Sequence, residues 1–192
     1  MLRTIAIFLL RIYTDLYNMQ YAASFVGWSN TGKTHLITQL TRLYTARGLI
    51  VGTIKRGHSP PSFETAGKDT DLFFQNGAEQ VAYLSDHGGF IRFKSTPSLE
   101  QLQSDFQNCE ILLIEGIMLP KVPCFELISS AEQLPNTKFP KEKLTAYITK
   151  VATSTAEHTP SEHTAKSGSQ LILPGSKPEL IVKFLEELWN AK

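Results

Sequence analysis

The sequence predicts an α/β fold built on a mainly parallel sheet with helices on both faces. Its first part reads as an apolar strand over 21–26, a glycine-containing loop, a helical apolar stripe over 36–44 and a second strand over 49–54. That succession in about thirty residues is a βαβ unit. Further along, 111–114 is entirely apolar, which is typical of a strand at the centre of a parallel sheet.

The loop between the first strand and the first helix, Gly27–Thr34, reads G-x-x-x-x-G-K-T, the pattern of P-loop NTPases. Its glycines allow backbone N–H groups to turn inward around phosphate oxygens. The Lys33 ammonium is expected on the β/γ-phosphates and the Thr34 hydroxyl on Mg²⁺. Because a strand precedes the motif and a helix follows it, nucleotide binding explains the segment better than an ordinary glycine turn. The predicted nucleotide-binding residues are Gly27, Ser29, Asn30, Thr31, Gly32, Lys33, Thr34, His35 and Lys55.

Two acidic residues complete the predicted site. Glu115 directly follows the apolar strand 111–114, where a P-loop protein holds Mg²⁺ directly or through water, so Thr34 and Glu115 are the predicted metal ligands. Asp69 follows a long loop at 55–70 that begins at the carboxyl end of the second strand, the ligand end of an open α/β sheet. The predicted catalytic residues are therefore Lys33, Asp69 and Glu115, with Asp69 orienting a water or joining the Mg²⁺ shell.

Length and composition narrow the function further. The chain has 192 residues, and 19–192 is expected to be one P-loop domain. A net charge of +1 argues against a nucleic-acid partner. Cys109 and Cys124 are expected to be reduced thiols, which together with a nucleotide ligand predicts a cytoplasmic protein. Residues 1–18 carry an apolar run too short to span a bilayer, so no membrane is expected. They are either an amphipathic helix or lie upstream of a natural start at Met19.

The remaining elements follow from local patterns. The sequence predicts a helix over 69–76, strands over 79–84 and 89–93, a helix from Ser98 to about Gln107 that opens with a capping box, and strands over 124–128, 144–152 and 171–173. A last amphipathic helix follows the serine at 176. His158 and His163 lie in a polar stretch and are interpreted as part of an exposed loop, not as metal ligands.

Several related classes are disfavoured by what stands at particular positions. Trp28 occupies the place where ATPases of the partition type carry an additional lysine. No arginine follows Arg92, whereas small nucleotide kinases need lid arginines to clamp phosphates. The nearest approach to the guanine motif N/T-K-x-D, at 149–152, lacks the aspartate, so the residues themselves leave GTP and ATP both open.

Four segments in order make the chain resemble the MobB family of molybdopterin-guanine dinucleotide biosynthesis adaptors. They are the loop Gly27–Thr34, V-G-T-I-K at 51–55, G-K-D-T at 67–70 and E-G at 115–116. The resemblance implies a GTP-binding P-loop protein with Mg²⁺, often a homodimer, with slow GTPase activity. It also implies a partner, the nucleotidyltransferase that attaches GMP to molybdopterin. Arg56 departs from the histidine usual in the family, and Ile117 and Met118 depart from its aromatic residue and lysine.

Two other functions remain open from the sequence. One is a small-molecule kinase that uses ATP, which phosphorylation of an added acceptor would reveal. The other is a nucleotide-dependent adaptor that does not hydrolyse, which intact GTP binding without turnover would reveal.

Overall fold

The computed structural model describes residues 21–57, 69–130, 137–150 and 171–191. These residues form two compact units. The first comprises the described residues up to Arg56 together with those from Phe106 onward, and the second comprises those between Gly57 and Asp105. The expectations for residues 1–18 and for the histidines at 158 and 163 fall outside the described residues. In the described part of the chain, no helix is long and apolar enough to cross a bilayer.

The first unit contains a six-stranded sheet and two long helices. Its strands are β1 Tyr21–Gly27, β2 Val51–Lys55, β5 Ile111–Glu115, β6 Cys124–Ile128, β7 Ala146–Thr149 and β8 Ile172–Pro174. Its helices are α1 Lys33–Thr45 and α4 Pro178–Asn190, with a short 3-10 turn at Lys141–Lys143. The second unit holds α2 Asp69–Gln75, β3 Gln80–Ser85, β4 Gly88–Phe93 and α3 Leu99–Asp105.

The sheet has the order β2-β5-β1-β6-β7-β8, and every pair in it is parallel. The predicted α/β class with a mainly parallel sheet is therefore confirmed. Because the strands run the same way, their carboxyl ends lie at one edge. Gly27, Lys55 and Glu115 end β1, β2 and β5 there, and these are three neighbouring strands.

Helices α1 and α4 bury their apolar stripes on one face of the sheet. Leu36, Ile37, Leu40 and Tyr44 of α1 are buried, as the helical spacing predicts. Along α4 the apolar face buries Ile181, Val182, Phe184, Leu185 and Trp189, while Leu180 is exposed. The Trp189 indole N–H donates to the Ala22 carbonyl at 3.1 Å, so the end of α4 is tied to the central strand.

The other face of the sheet carries Ala22, Leu112 and Ile114, which are buried. Partly buried apolar residues that pack on this face are Ile54, Phe106, Ile117, Leu119 and Val122. Strands β1 and β5 therefore bury apolar side chains on both faces of the sheet. This explains why 111–114 is a continuous apolar run.

The second unit is organised by an antiparallel hairpin, β3 paired with β4, as the sequence predicts. A buried Asp71 on α2 accepts from the Arg92 guanidinium of β4 at 3.2 Å, and the same guanidinium lies 3.9 Å from the centre of the Phe74 ring. Only half of the predicted capping box forms: the Ser98 hydroxyl accepts from the Gln101 N–H at 3.2 Å, but the Gln101 amide donates instead to Asp105. The helix ends at Asp105, two residues earlier than expected.

Candidate functional site

The loop Gly27–Thr34 turns tightly because of its backbone conformation. Gly27 has φ +131°, Asn30 has φ +64° and Gly32 has φ +96°, all in the region that favours glycine or asparagine. A Cβ added at Gly27 would lie 2.5 Å from the Leu127 carbonyl oxygen, so the loop leaves β1 in close contact with β6. The first glycine of the motif is therefore required by both conformation and space.

Contacts within the loop hold the Lys33 side chain over it. The Lys33 ammonium donates to the Trp28 carbonyl at 2.6 Å and to the Gly27 carbonyl at 3.2 Å. Thr31, which is buried, donates from its hydroxyl to the Trp28 carbonyl at 2.9 Å. The ammonium is thus held against the backbone of the loop, and its contact with phosphates stays a prediction.

Burial and neighbouring charges lower the pKa of Lys33. Burial is the largest cause; the ammonium groups of Lys138 and Lys55 lower the pKa further, and the Glu115 carboxylate opposes the change. A negatively charged ligand at this position would favour the protonated form, because an opposite charge nearby stabilises an ammonium.

Thr34, Lys55 and Glu115 come together although they are far apart in the chain. The Thr34 hydroxyl lies 2.9 Å from Oε2 of Glu115 and 3.1 Å from Oε1. The Lys55 ammonium lies 3.1 Å from the Thr34 hydroxyl oxygen and 3.4 Å from Oε1 of Glu115. A positive charge therefore lies beside the two hydrogen-bonded groups that the sequence assigned to a metal. Oxygen donors of this kind suit Mg²⁺, which is typically held by one or two protein groups together with phosphate oxygens.

The other predicted site residues occupy different places. Ser29 and Asn30 are exposed on the loop, and His35 is exposed in the first turn of α1. Asp69 is the first residue of α2 in the second unit, so its predicted role with the phosphates stays a prediction. Within the described residues there is no cluster of three or more His, Cys, Asp or Glu side chains suited to a metal ion.

The structure adds two residues beside the loop that the sequence did not single out. The Lys138 ammonium lies 5.2 Å from the centre of the Trp28 ring. Glu126, on β6, is fully buried and accepts from the backbone N–H groups of Lys138 and Phe139. Glu126 carried a signal in the sequence: a charged residue inside an apolar strand is rarely buried without partners. Lys138 carried none, since its neighbours there are set by tertiary contacts.

A parallel sheet with a glycine-rich loop leading from its central strand into α1 defines a P-loop NTPase-like α/β protein. The chain belongs to the MobB family: the family profile described as molybdopterin guanine dinucleotide synthesis protein B matches residues 22–150. The resemblance found in the sequence motifs is thereby confirmed.

Curated relatives agree with this membership. The molybdopterin-guanine dinucleotide biosynthesis adapter protein of Escherichia coli K12 is 31% identical over 100 residues, covering 48% of this chain and 57% of that protein. The adapter protein of Haemophilus influenzae is 29% identical over 133 residues, covering 67% of this chain and 71% of that one. The match thus spans little more than half of the Escherichia coli protein's length.

The fold is shared with solved MobB structures. The crystal structure of Bacillus subtilis MobB superposes with a TM-score of 0.65 at 24% identity, covering 87% of this chain and 97% of that one. The MobB homologue of Bacillus stearothermophilus superposes with a TM-score of 0.58 at 16% identity, covering 89% and 99%.

Proposed function

We propose that this protein binds GTP with Mg²⁺, hydrolyses it slowly and assists a nucleotidyltransferase that attaches GMP to molybdopterin. The observation that carries the nucleotide part is the contact of the Thr34 hydroxyl with the Glu115 carboxylate at 2.9 Å, beside the Lys33 ammonium. A phosphate-binding loop, a metal-binding hydroxyl and a strand-end carboxylate in one place are the parts that phosphoryl chemistry on a P-loop requires.

Each part of the proposed site has a distinct task. The backbone N–H groups of the loop and the N-terminus of α1 would bind phosphate oxygens. Lys33 supplies a positive charge to the β/γ-phosphates, where charge develops during transfer. Mg²⁺, when bound, neutralises phosphate charge, and Thr34 and Glu115 are the residues that would hold it. The Lys55 ammonium contacts both groups from one side, so a metal bound to them would displace it toward the phosphates.

The guanine and molybdopterin parts of the proposal rest on family membership. Relatives of this chain are described as molybdopterin-guanine dinucleotide biosynthesis adapter proteins, which supports the same adapter role here. The family resemblance also supports a homodimer and a nucleotidyltransferase partner.

Calorimetric titration of the purified full chain with GTP and with ATP, each with and without Mg²⁺, tests the proposal. We expect GTP to bind more tightly, Mg²⁺ to strengthen binding, and Lys33→Ala to abolish tight triphosphate binding while circular dichroism stays unchanged. Lys141→Ala, at an exposed lysine on the 3-10 turn, is the matched control. Unchanged affinity in a folded Lys33→Ala protein would remove the loop from the proposal, and a preference for ATP with phosphorylation of an acceptor would replace it with a kinase.

Glu115→Gln separates the metal from the nucleotide. Because Glu115 is at a strand end and glutamine keeps its size and one acceptor oxygen, the fold should persist. The variant should lose most of the gain in affinity that Mg²⁺ gives and keep its metal-free affinity. An equal loss with and without Mg²⁺ would show that Glu115 acts on the shape of the site instead.

A further inference from the structure

The exposed Trp28 ring of the loop Gly27–Thr34 packs against the ammonium group of Lys138. Trp28 is 49% exposed, and the Lys138 ammonium lies 5.2 Å from the centre of its ring and 5.8 Å from that of Phe139. Attraction of an ammonium to an indole face holds the group near the ring without neutralising it. Among the described residues, Lys138 forms no ion pair with a carboxylate, so its charge stays available.

A buried carboxylate fixes the backbone that presents Lys138. Glu126 accepts from the Lys138 N–H at 2.7 Å and from the Phe139 N–H at 3.3 Å. Glu126 pairs in register with Val26 of β1, one residue before the loop begins. Since a fully buried carboxylate is costly unless its oxygens accept hydrogen bonds, these contacts anchor 138–139 to β6 next to the start of the loop.

Trp28 contacts both Lys33 and Lys138. The Trp28 carbonyl accepts from the Lys33 ammonium at 2.6 Å, while the Trp28 ring faces Lys138. Lys33 of this motif contacts the β/γ-phosphates. Lys33 and Lys138 therefore contact the same residue of the loop, and the charge of Lys138 acts on the Lys33 ammonium.

The charges around Lys33 favour an anionic ligand. The ammonium groups of Lys55 and Lys138 and the carboxylate of Glu115 act on Lys33 itself, which makes three positive charges against one negative charge, a surplus of two. A triphosphate with Mg²⁺ carries a net charge of about −2. Lys138 therefore adds one of the positive charges that would face an anionic ligand bound beside Lys33.

We propose that Lys138 is a further phosphate-binding residue at the β/γ end of the site, and that Glu126 and Trp28 are the residues that position it. The inference rests on the proposed nucleotide binding and adds a consequence: Lys138 favours the triphosphate over the diphosphate. Glu126 touches no ligand in this proposal and acts only through the backbone at 138–139.

The test compares Lys138→Met with Lys143→Met by calorimetric titration with Mg²⁺–GTP and Mg²⁺–GDP. Methionine keeps an unbranched side chain at 138 and removes the charge. The control removes one positive charge from the same segment, at an exposed lysine whose charge does not act on Lys33. We expect Lys138→Met to weaken GTP binding about five- to tenfold and GDP binding less than about twofold. The control should change neither, and the effect should shrink at high salt.

The role of Glu126 is tested by a double-mutant cycle. Glutamine can accept from only one of the two N–H groups through its carbonyl, so Glu126→Gln should lower the ratio of GTP to GDP affinity in the same direction. Combined with Lys138→Met, it should add no further loss to that ratio, because both changes remove the same contact. Full additivity would contradict a positioning role.

The possible results distinguish failure of the proposed role of Lys138 from failure of the proposed nucleotide binding. If the unaltered protein binds neither nucleotide, the proposed function and the inference both fall. If the unaltered protein binds GTP and Lys138→Met lowers GTP and GDP affinity equally, or lowers neither, nucleotide binding stands and the role of Lys138 is overturned. Lys138 is exposed, so its substitution leaves the core intact and the comparison is interpretable.

Discussion

Substitution of the first glycine of the loop tests how tightly β1 and β6 approach each other. Gly27 has φ +131°, and a Cβ there would lie 2.5 Å from the Leu127 carbonyl oxygen, a backbone atom that cannot move aside cheaply. Gly48, at the end of α1, has φ +84° and no atom within 4 Å of an added Cβ. Both substitutions put alanine at a positive φ, and only Gly27→Ala also forces a Cβ against backbone.

The expected magnitudes follow from those two terms. A non-glycine residue in the left-handed region costs about 1–2 kcal/mol, and alanine recovers about 0.4–1 kcal/mol by restricting the unfolded chain. Gly48→Ala should thus lower the free energy of unfolding by about 1 kcal/mol. Forcing a methyl group into occupied space adds about 1–3 kcal/mol, so Gly27→Ala should cost about 3 kcal/mol. The difference of about 2 kcal/mol corresponds to a gap of about 4–8 °C in Tm for a chain of this size.

Thermal and urea denaturation followed by circular dichroism measure this difference. The urea dependence of the unfolding free energy should be the same in both variants, because neither change alters the surface exposed on unfolding. Equal midpoints for Gly27→Ala and Gly48→Ala would refute the close approach of Leu127 to the loop. A larger loss in Gly48→Ala would refute it more strongly.

Three further predictions address the site and the core. Lys55→Met should raise the affinity of the protein for Mg²⁺ measured without nucleotide, because the ammonium beside Thr34 and Glu115 no longer competes with the metal; unchanged affinity would show that the metal binds elsewhere. Burial, with a smaller contribution from the Glu126 carboxylate, raises the pKa of Cys124 to about 11. The unfolded thiol therefore loses its proton first as pH rises, and the stability difference between the unaltered protein and Cys124→Ala should shrink through pH 9–11; a constant difference would contradict the raised pKa. Asp69→Asn should slow GTP hydrolysis, measured by the release of phosphate, more than it weakens GTP binding. A normal rate of hydrolysis would show that another residue orients the attacking water.

The local elements could be predicted from the sequence because their signals are local. The apolar stripe of α1, the continuous apolar run of β5 and the glycine loop each depend on residues within about ten positions. The sequence also places Lys55 and Glu115 separately at the ligand ends of two strands, and the structure adds that the two side chains form an ion pair at 3.4 Å. The insertion of β5 between β2 and β1 did not follow, because strand order is set by packing between distant segments.

Lys138 illustrates the limit of sequence reasoning at the site. It lies in a stretch of mixed polar and proline residues with no periodic pattern. Its place beside Trp28 depends on hydrogen bonds to Glu126, twelve residues earlier, and on the pairing of β6 with β1. Contacts of that kind have no signature in spacing or composition.

The pairing of β1 has a consequence for how the protein folds during synthesis. Tyr21 pairs with Ile111 and Ser24 pairs with Cys124. The central strand β1 therefore cannot pair until β5 and β6, about a hundred residues later in the chain, have been synthesised. Contacts between such distant segments are slow to form. A nascent chain contains the complete G-x-x-x-x-G-K-T motif before Glu115, which contacts Thr34, has been synthesised. The same is true of Leu127, which packs against Gly27. The motif is thus synthesised early, but the phosphate loop can take its final shape only after β5 and β6 have been synthesised. A chain that stops before these strands contains the motif and lacks the assembled site.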